Sequence, residues 1–311
     1  GFPGGDDIGP RPIDMHIKGF EALGATVRNE NDEIVISAPA EGLHGAEINF
    51  EVTSVGATIN VILAAVTAKG HTVINNAAKE PEIIDLATFL NNMGATIRGA
   101  GTASIRIDGV SELRARNSHT IIPDRIEAGT YISLAGCIGD GITIHNIIAE
   151  HLDSFLAKVE EMGLGMDILE DSIYVYPAGD LKMTQVKTSP YPGFATDLQQ
   201  PITPLLLTAK FGEGVIIDTI YPKRVRHIEG LRKMGANIHV EDDIILIHSS
   251  GNFQGATVSA DEIRAGAALM IAGLMAEGET VIENAENILR GYDRVELKLR
   301  QLGADVKIIE E

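Results

Sequence analysis

The sequence contains very little cysteine: Cys137 is the only one among 311 residues. An internal disulfide is therefore excluded, and a reducing, cytosolic setting is expected. Cys137 lies in the apolar run 131–138, so we predict that it is a small core residue and not a nucleophile. Motifs of the CxxC and HExxH kind are also missing, and no metal site or cofactor is predicted.

Long apolar runs and an excess of positive charge are missing as well. No run approaches the roughly 20 residues that a membrane-spanning helix needs, and the first residues do not have the basic-then-apolar pattern of a signal peptide. The chain has 25 basic and 44 acidic residues, a net charge of −19. This balance argues against nucleic acid and anionic membranes as partners. A site for a small anion would need a few arginines to create a positive potential locally.

A short pattern recurs about every 70 residues. In each copy an amphipathic helix is predicted to end at an apolar-Gly-apolar sequence, and a strand follows. The glycines are Gly24, Gly94, Gly163, Gly235 and Gly303. Glycine adopts the left-handed backbone conformation of helix C-termini with little strain, which suits these positions.

Strongly apolar helices recur with nearly the same period. They are predicted to end at Gly70, Gly141, Gly214 and Gly278, with a strand after each. The first of them, over 54–69, is apolar on nearly every face, so we expect it to be buried on all sides. Together the two patterns predict an α/β (α+β) fold of repeated units. Each unit contains a strand, a buried helix, a strand, an outer helix and two short strands.

Five such units can be counted, and the first has no buried helix. A protein of six units, divided three and three, would explain this count, and the loop-like residues 1–7 agree with it. We therefore expect a further N-terminal segment upstream of residue 1. The predicted domains are an incomplete first domain over 1–122 and a second domain over 123–311.

The apolar helices begin at equivalent places in the repeats. Several of the first residues, such as Asp124, are ordinary N-cap types. Capping does not explain Arg125 and Arg264 in first turns, because a cation there opposes the helix dipole. Either an anion binds beside these arginines, or they form ion pairs with Glu127 and Glu262. The sequence leaves both interpretations open.

Two further segments concentrate unusual residues. The opening loop 3–16 is rich in glycine and proline and carries Arg11 between two prolines, where a restrained backbone would fix one guanidinium group. The segment 289–294 contains Arg290 and is predicted to open the final helix. Each segment has an ordinary interpretation, as a connecting loop and as a solvated helix start.

Six segments resemble one family of enzymes, the enolpyruvyl transferases that act on UDP-N-acetylglucosamine. The segments, in the order of that family, are 3–16, 54–58, 80–85, 123–130, 196–199 and 290–292. The resemblance implies a two-domain fold, an inside-out α/β barrel, with an active cleft between the domains. It implies addition–elimination in which enolpyruvate passes from phosphoenolpyruvate to the 3′-hydroxyl of UDP-N-acetylglucosamine and phosphate leaves. This is the first committed step of peptidoglycan synthesis.

The same resemblance implies roles for individual residues. Asp197 matches the family's candidate base and Asp6 its proton donor, and Arg264 and Arg290 complete the implied catalytic set. Arg11 and Arg290 match positions that bind phosphoenolpyruvate. Positions that hold the UDP-sugar are matched by Arg11, Pro12, Ile13, Asp14, Met15, Val52, Thr53, Ser54, Val55, Asp197 and Ile220. Charged positions with less defined roles are matched by Glu80, Glu82, Arg125 and Arg224.

The chain departs from the family's pattern at Asp6, where most members carry cysteine. A carboxylic acid can donate a proton if burial, or a neighbouring carboxylate such as Asp7, raises its pKa. The antibiotic fosfomycin alkylates the cysteine thiolate, so resistance is expected. The family's N-terminal part supplies a Lys-Asn pair and a further Arg, and without these residues the chain is expected to be inactive or weak.

Three other functions remain open from the sequence. The related transferase that acts on 3-phosphoshikimate shares the fold and the chemistry, although the Pro-Gly-Gly loop favours the UDP-sugar. A non-catalytic paralogue that binds UDP-sugar is compatible with Asp6, although it would not need Asp197, Arg264 and Arg290 together. A repeat scaffold without a small-molecule site fits the apolar helices but leaves the arginines in first turns unexplained.

Overall fold

The structure is a computed structural model, and it describes residues 5–6, 8–31 and 33–309. These residues form two compact units. The first consists mainly of Pro10–Ile122 and the second mainly of Pro123–Ser189 and the described part of 193–311; Asp6, Ile8 and Gly9 belong to the second unit. None of the helices in the described ranges combines the length and apolarity that a bilayer span requires.

The first unit contains a hairpin and one mixed sheet. Its elements are α1 (Asp14–Ala22), β1 (Thr26–Glu30), β2 (Glu33–Ser37), β3 (Glu47–Asn49), α2 (Val55–Ala65), β4 (His71–Asn75), α3 (Pro81–Asn92), β5 (Thr96–Arg98) and β6 (Ser104–Asp108). The strand order is β3-β4-β6-β5, with β3 parallel to β4 and the other pairs antiparallel. In β6, Ile105 and Ile107 alternate with polar residues and are buried, as a sheet with one covered face requires.

Helix α2 differs from its sequence-based prediction. The Ser54 hydroxyl accepts from the Ala57 N–H at 3.2 Å and caps the helix, which ends at Ala65 and not near residue 69. The expected burial on all sides is wrong, because Val55 and Leu63 are 38% and 47% exposed. Only one side of α2, next to α1 and α3, is covered by described residues of the first unit.

Within residues 123–309, the second unit contains three sheets and a group of apolar helices. Its elements are α4 (Arg125–Ile138), β7 (Ile142–His145), a 3-10 turn (Ala149–Leu152), α5 (Asp153–Glu161), β8 (Met166–Ile168), β9 (Ser172–Val175), β10 (Gln185–Lys187), α6 (Thr196–Thr208), β11 (Gly214–Ile217), α7 (His227–Lys233), β12 (Ile238–Glu241), β13 (Ile244–Ile247), β14 (Thr257–Ser259), α8 (Ile263–Met275), β15 (Val281–Glu283), α9 (Glu286–Leu289) and α10 (Val295–Gln301). The strand orders are β7-β9-β8, β10-β11-β13-β12 and β14-β15.

Helices α4, α6 and α8 pack against one another and form the centre of the second unit. Their middle residues are buried on nearly every face, as the apolar pattern predicts. The first turns of α6 and α8, which carry Asp197 and Arg264, are therefore held in fixed positions. Cys137 lies against this core, and burial raises the pKa of its thiol, so the prediction of a packing role is confirmed.

Glycine and asparagine mark equivalent turns in the repeats. The five predicted C-terminal glycines have φ between +95° and +104°, which confirms the left-handed conformation. The prediction for Gly214 is wrong: this residue begins β11, and Gly212 has the positive φ of +90°. Asn76, Asn146 and Asn284, each just after a strand, share a φ of +55°. This second turn marker was not predicted, although asparagine is enriched in that conformation.

Close contact between α4 and α6 depends on Gly129. A Cβ atom at this position would lie 2.7 Å from Cδ2 of the buried Leu198. We expect Gly129→Ala to lower the free energy of unfolding by up to about 2 kcal/mol, because overpacking costs about 1–3 kcal/mol and the gain in helix propensity returns only about 1 kcal/mol. Urea denaturation measures the change. Gly179→Ala is the control, because no atom of the described residues lies within 4 Å of a Cβ there; equal losses in both variants would contradict the packing argument.

Candidate active site

Asp197 lies in the first turn of α6 and contacts two arginines. Arg224 Nη1 donates to Asp197 Oδ1 at 2.5 Å, and Arg264 Nη2 lies 3.5 Å from Oδ2. The Asp197 side chain remains 38% exposed, whereas Arg224 is 2% exposed. The Asp197 carboxylate is thus paired with two largely buried arginines but remains partly exposed, so a ligand can reach it.

Arg224 also contacts a second carboxylate, that of Glu262. Arg224 Nε donates to Glu262 Oε1 at 3.2 Å, and the Glu262 side chain is 0% exposed. Burial raises the pKa of Glu262, and the charge and hydrogen bond of Arg224 only partly oppose this effect. Burial alone would also raise the pKa of Asp197, but the charges of Arg224, Arg264 and Arg125 hold it below its ordinary value. The two carboxyl groups beside Arg224 therefore have pKa values displaced in opposite directions.

Arg264 is oriented by aromatic and acidic neighbours. Its guanidinium carbon lies 5.2 Å from the centroid of the Tyr292 ring, and the Tyr292 hydroxyl and the Thr130 hydroxyl are 2.9 Å apart. One of the two interpretations left open by the sequence paired Arg264 with Glu262. The structure instead places Arg264 against Asp197 and Glu262 against Arg224. Glu127 contacts Lys298.

Asp218 organises the loop that carries Ile220. Its Oδ1 accepts from the N–H groups of Ile220 and Tyr221, each at 2.9 Å, and from the Thr188 hydroxyl at 2.7 Å. Its Oδ2 accepts from the Thr196 hydroxyl at 2.6 Å. Thr196 directly precedes Asp197, so Asp218 connects the loop to the first turn of α6. Sequence reasoning missed this residue, although an Asp that begins a polar turn is a recognisable signal.

Asp6 lies at the N-terminus of α8. Arg290 Nη2 donates to Asp6 Oδ1 at 2.5 Å, and the Ile263 N–H is 3.1 Å from Oδ2 and 3.3 Å from Oδ1. The Asp6 side chain is only 10% exposed. Asp7, which was expected to influence Asp6, lies outside the described residues. The prediction that 289–294 opens the final helix is confirmed at its last residue, because Arg294 is the N-cap of α10; Arg290 itself is the C-cap of the short helix α9.

In the first unit, the two segments matched to the UDP-sugar lie at the starts of α1 and α2. Arg11, Pro12 and Ile13 precede α1, and Asp14 and Met15 begin it. Val52 and Thr53 precede α2, Ser54 is its N-cap, and Val55 is its first residue. The helices are joined by His16 Nδ1 and Asn60 Nδ2 at 2.8 Å. Arg11 is exposed, and a Cβ on Gly5 would lie 2.6 Å from its Nη1.

Glu80 and Glu82 lie at the start of α3. Glu80 is the N-cap residue and is buried, and Glu82 is in the first turn. Sequence reasoning thus matched charged residues in both units, but it missed the link between His16 and Asn60.

Similarity to known proteins decides between the related enzymes. The family model for EPSP synthase (3-phosphoshikimate 1-carboxyvinyltransferase) matches residues 1–299. A UDP-N-acetylglucosamine 1-carboxyvinyltransferase of Lactobacillus johnsonii is 74% identical over 310 residues, which cover 100% of this chain and 74% of that protein. The enzyme of the same description from Streptococcus pneumoniae serotype 2 is 59% identical over 311 residues, with the same coverage. The chain belongs to the UDP-N-acetylglucosamine 1-carboxyvinyltransferase family.

Solved structures support the fold expected of this family. The enolpyruvyl transferase NikO from Streptomyces tendae aligns with a TM-score of 0.88 at 23% identity, over 96% of this chain and 72% of NikO. EPSP synthase from Acinetobacter baumannii aligns with a TM-score of 0.72 at 17% identity, over 99% and 74% of the two chains. The predicted enolpyruvyl transferase fold is therefore confirmed.

This member of the UDP-N-acetylglucosamine 1-carboxyvinyltransferase family also has a buried histidine, His227, near Arg224. His227 is 0% exposed; its Nδ1 lies 3.3 Å from Gln200 Nε2 and its Nε2 lies 3.3 Å from the Thr203 hydroxyl. The Thr203 hydroxyl donates to the Gln199 carbonyl, so it accepts from His227. This chain of donors fits a neutral ring with its proton on Nε2. Burial, with the charge of Arg224, lowers the pKa of His227 to about 3.

The pKa of His227 predicts a specific loss of stability in acid. The folded-state pKa of His227 lies below the unfolded value of 6.5. The stability that the neutral ring contributes is therefore fully present above pH 6.5 and is lost as the pH falls toward 3. As the pH falls from 6.5 to 5, the free energy of unfolding is expected to decrease with a slope that approaches about 1.4 kcal/mol per pH unit from this group. His227→Gln should remove that slope in urea denaturation, and the exposed His145→Gln should retain it. A slope unchanged in His227→Gln would contradict the assignment.

Proposed function

We propose that the protein transfers enolpyruvate from phosphoenolpyruvate to the 3′-hydroxyl of UDP-N-acetylglucosamine and releases phosphate. The observation that carries the proposal is the carboxylate of Asp197 held between Arg224 and Arg264, in a chain 59–74% identical to enzymes of that description. The reaction is the first committed step of peptidoglycan synthesis. A cytoplasmic location is part of the proposal and is supported by the single cysteine.

The chemistry needs a base, an acid and cations. The sugar oxygen attacks C2 of phosphoenolpyruvate while its proton passes to Asp197, and C3 takes a proton from Asp6. The resulting tetrahedral ketal loses a proton from C3 and expels phosphate, which restores the double bond. Arg264 and Arg290 bind the anionic groups of phosphoenolpyruvate, as does Arg11, and they stabilise the negative charge on the leaving phosphate.

The arginines beside Asp197 have two consequences for its role as a base. Their charge lowers its pKa, so the group is ionised and able to accept a proton at neutral pH. The same charge makes it a weak base in the free enzyme. An anionic substrate that binds to Arg264 would offset part of this charge and raise the pKa of Asp197. Basicity would therefore increase when phosphoenolpyruvate is bound.

The residues proposed to contact the UDP-sugar are those of 11–15 and 52–55, at the starts of α1 and α2, together with Asp197 and Ile220. The contact between His16 and Asn60, which joins α1 to α2, and the turn at Asp218, which holds the backbone N–H of Ile220, support this role.

The test is release of phosphate from phosphoenolpyruvate by the protein at its full natural length. Release that requires UDP-N-acetylglucosamine, and that shikimate 3-phosphate does not support, is the expected result. Release with shikimate 3-phosphate alone would favour the related transferase. Binding of UDP-N-acetylglucosamine without any release would favour a non-catalytic paralogue.

Fosfomycin gives an independent prediction about Asp6. A carboxylate is a poorer nucleophile toward the drug's epoxide than a thiolate, so the wild-type protein is expected to remain active during prolonged incubation. Asp6→Cys should become inactivated with time and gain one covalent adduct, measured by intact mass. Asp293→Cys is the control, because it adds an exposed thiol outside the proposed site. Equal adduct formation in the wild type would overturn the prediction.

A further inference from the structure

The N-terminus of α8 has no side-chain cap from its own N-cap residue. Glu262 occupies the N-cap position, but its carboxylate is directed to Arg224, and no acidic residue lies in the first turn. By contrast, α4 is capped by its own Asp124, whose Oδ1 accepts from two N–H groups at 2.8 and 3.2 Å. At α8 the carboxylate of Asp6, 257 residues away in the chain, supplies the missing acceptor.

The partners of Asp6 form a site suited to any small anion. The Ile263 N–H and the Arg290 guanidinium, which we call the Asp6 seat, combine a helix N-terminus with a cation. Both features attract carboxylate and phosphate groups. α8 is 13 residues long, so its dipole is fully developed at this end. The Asp6 seat is thus an anion site already filled by a carboxylate of the same chain.

We propose that the carboxylate of Asp6 is an internal competitor that phosphoenolpyruvate, or its phosphate group, must displace from the Asp6 seat before reaction. The inference rests on the proposed function, which assigns Arg290 to that substrate. It extends the role of Asp6 from proton donor to a group that weakens substrate binding in the resting protein. The apparent affinity for the anion is reduced by the fraction of molecules in which Asp6 fills the seat.

Displacement would also place Asp6 in the state that proton transfer requires. In the seat both carboxylate oxygens accept hydrogen bonds from Ile263 or Arg290, so neither is positioned to donate a proton. Only a carboxyl group that has left these donors is free to approach C3 as the acid of the proposed reaction. Binding of the anion and displacement of the Asp6 side chain would then occur together. This coupling would prevent Asp6 from acting before the substrate is in place.

A permanent structural cap is the competing interpretation of the same contacts. In that case Asp6 stabilises α8 and never leaves, and removing its carboxylate would lower stability without improving anion binding. The two interpretations predict opposite changes in the affinity for a small anion. Inorganic phosphate is a suitable probe, because its binding does not require turnover or the UDP-sugar.

The experiment is titration calorimetry of inorganic phosphate into the full-length protein and its variants. Asp6→Ala should bind phosphate about tenfold more tightly than the wild type, and Asp6→Asn, which keeps an oxygen acceptor without charge, should lie between them. Asp261→Asn is the matched control, because it removes one negative charge near the same helix end and contacts Ser259 instead of Arg290. Its affinity should change less than threefold. Unchanged or weaker binding by Asp6→Ala would overturn the proposal.

A double-variant cycle places the effect at the seat. In an Arg290→Gln background, the removal of the Asp6 carboxylate should tighten phosphate binding much less than in the wild type, because the competed site has lost its cation. An equal gain in both backgrounds would contradict competition at Arg290. Failure of the proposed function is distinguishable, because it appears as absent turnover in the wild type whatever the phosphate affinities are. If the wild type catalyses the reaction but Asp6→Ala binds phosphate no more tightly than the wild type, only this inference is rejected.

Discussion

Asp197→Asn is expected to lower kcat for phosphate release by about 10²–10⁴-fold, the usual contribution of a general base. The amide has nearly the same shape and keeps an oxygen for the hydrogen bond from Arg224, but it cannot take the proton of the sugar hydroxyl. The affinity for UDP-N-acetylglucosamine should change much less than kcat. Steady-state kinetics at saturating substrates, together with calorimetric binding of the UDP-sugar, separate the two effects.

The control for this prediction is Asp293→Asn, which removes one negative charge from an exposed side chain of the same unit. It should retain kcat within a factor of about two, because exposed charges contribute little. If Asp197→Asn retained near-normal kcat but bound the UDP-sugar poorly, Asp197 would be a binding residue and the base would have to be sought elsewhere.

Local rules explain the parts of the fold that could be predicted. The five helix-terminal glycines were predicted because a left-handed residue after an amphipathic helix leaves its signature within a few residues of sequence. The same reasoning failed at Gly214, where a neighbouring glycine, Gly212, takes the positive φ. Where two glycines lie two residues apart, the sequence pattern alone does not say which of them takes the left-handed conformation.

Long-range partners could not be predicted in the same way. Arg264 was singled out because a cation in a first turn opposes the dipole, but nothing local indicates that its partner is Asp197 and that Glu262 pairs with Arg224. The contact of Asp6 with Ile263 N–H spans 257 residues and depends on the packing of the whole second unit. The exposure of Leu63 on α2 was missed because apolarity alone does not say which neighbours are present.

The buried pair of Arg224 and Glu262 leads to the largest expected effect on stability. Arg224→Met leaves the Glu262 carboxylate 0% exposed and without its cation, and it takes a hydrogen bond from Asp197. The free energy of unfolding should fall by about 3–5 kcal/mol, as for other buried pairs that lose one partner. Urea denaturation at pH 7 measures the loss. Lys233→Met, which breaks the exposed contact with Glu229, is the control and should change stability little.

The double variant Arg224→Met/Glu262→Leu tests the reason for this loss. If the cost comes from an uncompensated buried charge, replacing both partners with apolar side chains of similar size should recover most of the stability. Turnover should not recover, because Asp197 would still lack the Arg224 guanidinium that holds its carboxylate and lowers its pKa. Recovery of stability without activity would show that the buried pair is retained for the geometry of Asp197. A double variant as unstable as Arg224→Met would instead mean that the guanidinium stabilises the fold through Asp197 and Thr196, and that Glu262 contributes little.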